Sequence, residues 1–275
     1  MIKNILKKLS IRANVYENIR WSGYYTTFLK IKNSPYRRGK KAGREFLRKL
    51  IRPGVICFDI GANVGEITDT FLSLGARKVI AVEPDRKNIR ILNLRFQKNK
   101  RVEIVGMAVS DRHSTERIYV EKDGSAFNTL SDKWKKSLET RGHERFEKDL
   151  IFRSDYEVST VTLDSLISEH GKPDVIKIDV EGFELQALQG LNQRIPLIWF
   201  EVNLPEFLRE SQQCVRRLDI LSSGTVFNYT TNVLYNDSVE FCLKEWIGAS
   251  AMMEILEKTN HRFMEIYAKD EKERI

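Results

Sequence analysis

Cysteine is scarce, and so is every pattern that would let it staple the chain or hold a metal. The 275 residues contain 3 cysteines. Cys57, Cys214 and Cys242 are far apart and form no Cys-x-x-Cys pair, so neither a disulfide framework nor a cysteine zinc site is indicated. A reducing compartment suits such a chain, and the expectation is a cytoplasmic protein. The 4 histidines (His113, His143, His170 and His261) all sit in polar stretches, and only His143 falls where a catalytic base would be worth watching. No run of about 18 apolar residues is present, which argues against a spanning helix. The segment Met1–Leu9 lacks the apolar core that a secretory signal needs. Internal repeats and low-complexity tracts are also missing.

The charge of one sign that is missing from the start of the chain is negative. The whole chain carries +8. Residues 1–50 hold 14 Lys/Arg against 2 Glu, a net of +12, whereas residues 51–275 hold 32 basic against 36 acidic residues, a net of -4. The basic character therefore belongs to an N-terminal extension. Ile2, Ile5, Leu6 and Leu9 fall at helical spacing, and Trp21, Tyr24, Tyr25 and Phe28 follow, which predicts about two helices up to Leu50, broken near Asn33-Ser-Pro35. Two readings of residues 1–43 stay open: a peripheral contact with the anionic inner membrane surface, or a cap over the active site with its lysines solvated, which is slightly favoured.

From Arg52-Pro53-Gly54 onward, strand-like and helix-like segments alternate. Strands are expected at 55–60, 79–83, 102–109, 174–179, 197–202 and 224–230, and helices at 65–74, 85–98, 184–190 and 205–221. Such alternation predicts an α/β fold with a mainly parallel sheet covered on both faces. Phe263–Ala268 reads as an edge strand at the end of the fold. Residues 121–157 are polar, break the rhythm and are expected to form a long excursion beside the site. The division expected is a basic helical extension, 1–50, and one large domain, 51–275.

The chemistry concentrates at the ends of the strands. Val55-Ile-Cys-Phe-Asp-Ile-Gly-Ala-Asn-Val-Gly65 is an apolar run tipped by Asp59, followed by a turn with Gly61 and Gly65 and a helix start whose free N–H groups favour an anion. Asn63 stands where a dinucleotide fingerprint has its second glycine, and the third glycine is missing, which argues against a dinucleotide. Glu83, ending Val79–Val82, can accept from both hydroxyls of a ribose. A ribose plus an amino-acid end describes S-adenosylmethionine, with Asp59, Gly61, Asn63, Gly65 and Glu83 as candidate binding residues. Ala108, Val109 and Ser110 are candidates for an adenine slot, with a plain turn at Ser110-Asp111 as the alternative. In Asp174–Glu184, Lys177, Asp179 and Glu181 alternate with apolar residues, so period two puts the three charges on one face. Charges in an apolar strand are costly unless paired or functional. They read either as a Lys–Asp ion pair or as groups that orient and deprotonate a hydroxyl. Glu201 either faces the same crevice or caps the following helix. Asp179, Glu181 and Glu201 together raise the alternative of a divalent cation such as Mg²⁺; no histidine accompanies them, which disfavours zinc or iron.

Asp59-x-Gly-Ala-Asn-x-Gly65, Glu83-Pro84, Leu163-Asp164 and Ile176-Lys-Ile-Asp-Val-Glu-Gly-Phe-Glu184, in this order, resemble the FkbM family of S-adenosylmethionine-dependent methyltransferases. Leu188-x-Gly190 and Phe200-Glu201 are in keeping with it. The resemblance spans residues 44–203 and implies a class I methyltransferase (Rossmann-like) fold: a seven-stranded, mostly parallel sheet with an antiparallel last strand and helices on both faces. It implies O-methylation of a hydroxyl on a sugar, glycan or natural product. It puts Asp59, Gly61, Asn63, Gly65 and Glu83 at cofactor positions and Asp179 and Glu181 in an acidic element. The extension at 1–43 has no place in the family pattern.

The expected chemistry uses Asp179 as proton acceptor, with Glu181 or Lys177 orienting the acceptor. One rival is an RNA ribose 2′-O-methyltransferase, which the pI of about 9.3 invites. The acidic body and its lack of a basic, aromatic surface speak against nucleic acid. Another rival is a non-catalytic scaffold that binds a membrane or partner through the basic arm, against which the intact Asp59–Gly65 and Glu83 set argues.

Overall fold

A computed structural model describes residues 35–146, 149–231 and 238–273. Residues 1–34, which hold most of the segment 1–43 expected to contact a membrane or cap the site, lie outside the described residues. The first described element is α1 (Pro35–Arg48), with proline at its first position, where the missing N–H costs nothing.

The chain then runs β1 (Ile56–Ile60), α2 (Glu66–Ser73), β2 (Lys78–Val82), α3 (Arg86–Phe96), β3 (Val102–Val105), β4 (Ala108–Val109) and β5 (Thr115–Val120). It continues through α4 (Asp132–Arg141), α5 (His143–Phe146), β6 (Ser154–Val161), α6 (Leu163–His170), β7 (Val175–Ile178) and α7 (Glu184–Gln189). It ends with β8 (Leu197–Asn203), α8 (Leu208–Leu221), β9 (Thr225–Thr230), α9 (Ala249–Lys258) and β10 (Phe263–Asp270).

Seven strands form one sheet in the order β3-β2-β1-β7-β8-β10-β9. The pairs from β3 to β8 are parallel, and β10 runs antiparallel to both neighbours. This is the class I methyltransferase arrangement. Its last strand is not at the edge, as its sequence suggested, but is inserted between β8 and β9. The residues account for this: Ile266, Tyr267 and Ala268 are buried in succession, as a strand covered on both faces requires. The expected strand 102–109 is also two strands. After Gly106 the chain leaves the main sheet, and β4 pairs with β6 in a smaller sheet ordered β4-β6-β5.

Period two sorts the side chains of the sheet onto its two faces. Phe58, Ile60, Ile80, Ile176 and Ile178 pack under α6 to α9, against residues such as Leu166, Leu188, Val215 and Met252. Cys57, Val79, Val175, Trp199 and Tyr267 face α1 and α2 through Phe46, Leu47 and Phe71, so Cys57 is a core residue. Helix α3 covers Ala81 with Leu92 and Phe96. No helix among the described residues is long and apolar enough to cross a membrane. The parallel strands all end at one edge of the sheet, where the candidate residues gather.

Candidate functional site

The turn after β1 is shaped by close approach. Gly61 leaves the strand at φ +72, and a Cβ there would lie 1.8 Å from the carbonyl oxygen of Asp179. Asn63 follows at φ 49. Gly65, at φ +82, has Phe96 Cε2 of α3 at 2.5 Å from where its Cβ would be, so this glycine serves helix packing as well as the turn. Gly61→Ala combines a left-handed backbone with a collision against main chain, and is expected to cost about 3 kcal/mol or more. Urea denaturation checks this.

Asp59 stands behind the turn, fully buried. Its Oδ2 accepts from Thr68 Oγ1 at 2.6 Å, and its Oδ1 faces Lys177 Nζ at 3.6 Å. The two residues are register partners on β1 and β7. Lys177 is held within the protein by both strands. Its ammonium donates to the carbonyl of Gly61 at 2.9 Å and lies 3.3 Å from Asp179 Oδ2. Burial works against its charge, but Asp179 and Asp59 outweigh that and hold it protonated beyond the ordinary lysine range.

Glu83 directly follows β2 and is buried. Its Oε2 accepts the Asn63 N–H at 2.7 Å and its Oε1 the Asp85 N–H at 2.8 Å. Burial pushes its carboxyl up to about 7, with those two N–H groups pulling the other way. Gly61, Asn63, Glu83, Val109, Asp179 and Glu181 are among the residues lining one cleft of about 690 Å³, open solvent at its mouth included. Asp59, Gly65 and Lys177 lie behind that lining. Ser110 lies off it as well: its hydroxyl turns to Asp111 Oδ1 at 3.1 Å.

The acidic wall is built at the ends of β7 and β8. One carboxylate oxygen each of Asp179, Glu181 and Glu201 lies within 4.8 Å of the others, so Glu201 faces this cluster and does not cap α8. Glu181 takes a left-handed conformation, φ 55. Its Oε2 accepts from Trp134 Nε1 at 2.9 Å and its carbonyl from Thr129 Oγ1 at 2.6 Å. Glu184 closes the turn by accepting the N–H groups of Val180 and Gly182. Burial, reinforced by the nearby Asp179, holds Glu181 and Glu201 well above the usual carboxylate range.

The excursion at 121–157 contains α4, α5 and the start of β6, and its first part walls the cleft through Ser125, Ala126, Asn128 and Leu130. It is tied at both sides: Asn128 Nδ2 donates to Asp85 Oδ2 at 2.8 Å, and Thr129 and Trp134 hold Glu181. His143 lies apart from the cleft lining, exposed and 2.7 Å from Asp149.

Sequence reasoning missed Trp134 and Thr129, which carry no local signal. It also missed Glu265, opposite Glu201 in the β8–β10 register. A lone charge in the apolar Phe263–Ala268 run was the available sign. Its carboxyl accepts from the Tyr267 hydroxyl at 3.1 Å, and burial raises it to about 7.

Residues 59–224 match the Methyltransferase FkbM domain family. No curated protein sequence matches the chain. Among solved structures, the plantazolicin methyltransferase BpumL in complex with SAH is similar over 98% of this chain and 99% of that one, at 12% identity and a TM-score of 0.41. The precorrin-6y C5,15-methyltransferase of Geobacter metallireducens GS-15 is similar over 84% and 87%, at 9% identity and 0.40. The ribosomal protein L11 methylase of Lactobacillus delbrueckii subsp. bulgaricus is similar over 87% and 80%, at 10% identity and 0.41. Likeness at this level says nothing about the acceptor. The family match covers the glycine turn, Glu83, the acidic strand end and Glu201, and on that match the chain belongs to the FkbM family of S-adenosylmethionine-dependent methyltransferases.

Proposed function

We propose that this methyltransferase acts on a hydroxyl of a small-molecule, sugar or glycan acceptor, with Asp179 taking the hydroxyl proton. The observation that carries the reading is the wall of Asp179, Glu181 and Glu201 beside the cleft that Gly61 and Glu83 also line. S-adenosylmethionine, when bound, supplies an already activated sulfonium methyl, which leaves the protein with alignment and proton removal. An alcohol is a weak nucleophile while protonated, so carboxylates at the acceptor side suit a hydroxyl. Glu181 and Glu201, whose carboxyls burial and Asp179 hold well above the usual range, orient the acceptor through hydrogen bonds. Lys177 fixes the glycine turn and Asp179 relative to each other.

On the cofactor side, Gly61, Asn63, Glu83 and Val109 form the wall, while Asp59 and Gly65 set the shape of the turn from behind. Glu83 is assigned to the ribose hydroxyls. Because its carboxyl titrates near 7 in the free protein, and only the ionised form accepts from both hydroxyls, affinity should fall as pH drops below that value. The expected loss is about tenfold per pH unit below 7. Titration calorimetry with S-adenosylhomocysteine from pH 5.5 to 8.5 checks it. Glu83→Gln is expected to bind weakly and without this slope, and a flat wild-type curve contradicts the assignment.

The hydroxyl reading is tested by supplying S-adenosylmethionine with a methyl-labelled carbon and a panel of sugars, glycans and phenols, then locating the label by NMR. An O-methyl product is expected, and an N- or C-methyl product overturns it. A divalent cation held by the same three carboxylates is the second reading, favoured by their mutual proximity. Turnover that is unchanged by EDTA removes it.

A further inference from the structure

Among the described residues, the cleft holds a buried polar atom with no hydrogen-bond partner. Asn88, on the first turn of α3, lines the cleft beside Glu83 and is only 2% exposed. Its Oδ1 has no hydrogen-bond partner among the described residues. Its backbone N–H is already used, donating to the capping Asp85 Oδ1 at 3.0 Å, so the side chain is not needed to start the helix. The neighbouring polar groups are committed. Asn128 uses both ends of its amide: Nδ2 donates to Asp85 Oδ2 and the Lys122 carbonyl, and Oδ1 accepts from Glu121. Glu83 holds two backbone N–H groups. Asn88 Oδ1, by contrast, is left without a partner among the described residues.

The surroundings explain why solvent does not reach it freely. Gly124, at φ +70, passes so close that a Cβ there would lie 3.0 Å from Asn88 Oδ1. Gly124 and Asn128 are both tied to Asp85, which holds this part of the excursion over the amide. An acceptor kept buried and unbonded is costly, and it lines the cleft proposed above for the cofactor.

We infer that Asn88 is a specificity-determining contact for the adenosyl part of the cofactor, accepting a hydrogen bond from a ribose hydroxyl or the adenine amino group. The inference rests on the proposal that this cleft is where the cofactor binds. Glu83 takes the charge-assisted share of the ribose, and Asn88 adds a neutral acceptor on the α3 side.

The test uses the full chain and S-adenosylhomocysteine, with three analogues in which the 2′-hydroxyl, the 3′-hydroxyl or the adenine amino group is replaced by hydrogen. Dissociation constants are measured for the wild type, Asn88→Ala and the milder Asn88→Ser, with ligand-free thermal melts to establish folding. Asn88→Ala is expected to weaken S-adenosylhomocysteine binding by about tenfold, or about 1.4 kcal/mol. It should also abolish the penalty for one analogue and leave the other two penalties unchanged. Which analogue loses its penalty names the donor. Equal affinity in wild type and variant overturns the inference, as does a weakening that is the same for S-adenosylhomocysteine and every analogue. Should Asn88→Ala not fold, Asn88→Ser carries the same comparison. A wild type that does not bind S-adenosylhomocysteine fails the cleft assignment itself, a separate result.

Discussion

Asp179→Asn is expected to leave S-adenosylhomocysteine affinity nearly unchanged while cutting turnover by about a hundredfold or more, the contribution typical of a positioned base. Asparagine has the shape of aspartate, and its carbonyl can still accept from Lys177, which lies 3.3 Å from Oδ2 in the wild type. The turn at Gly61, which is fitted against the Asp179 main chain, should therefore persist. What is lost is the capacity to take a proton. Glu181→Gln provides the contrast. Burial and the nearby Asp179 hold its carboxyl well above the usual carboxylate range, so a neutral amide is the smaller change there, and turnover should fall by about tenfold or less. Single-turnover rates at saturating cofactor, paired with calorimetric affinities, separate the two roles. Equal losses in the two variants would argue that the acids act as one electrostatic unit.

Lys177→Met carries the largest expected effect on stability. The ammonium is buried, faces both Asp59 and Asp179, and donates to the carbonyl of Gly61. Methionine fills the space but leaves Asp59, which has no exposure to solvent, without a countercharge. Breaking a buried pair on one side costs about 3–5 kcal/mol. The urea midpoint should fall accordingly, and adding Asp59→Asn to Lys177→Met should recover part of the loss, because the two sites are coupled. A Lys177→Met protein as stable as wild type would show that the lysine does not hold the turn.

The sequence announced the sheet more clearly than the site. Parallel strands buried on both faces read as apolar runs, so β1, β2, β7 and β8 were visible from Ile56–Ile60, Lys78–Val82, Val175–Ile178 and Leu197–Asn203. The strands of the smaller sheet were not. In Thr115–Val120 only Ile118 and Val120 are buried, and charged neighbours hide the alternation. The break after Gly106 depends on pairing with β6, far away in sequence, and the interior place of β10 depends on its two partners. In the site, Asp59 and Glu83 stood out as acids that end apolar runs, and Asp179 and Glu181 as charges alternating with apolar residues on one face of a strand. The direction of Lys177 was not legible, since period two tells which face a side chain takes but not which cross-strand partner holds it. Trp134 reaches Glu181, and Asn88 the cleft lining, through packing that no local pattern announces. Ser110 ends a strand as expected, yet its hydroxyl bonds to its own neighbour.

The central claim is that one cleft joins Glu83 to the acidic wall so that a cofactor spans them. A crystal structure of the full chain with S-adenosylhomocysteine tests it most directly. Ribose hydroxyls on Glu83 and a sulfur turned toward Asp179, Glu181 and Glu201 are the expected result. A ligand bound with its sulfur facing away from these three carboxylates, or bound outside this cleft, would contradict it.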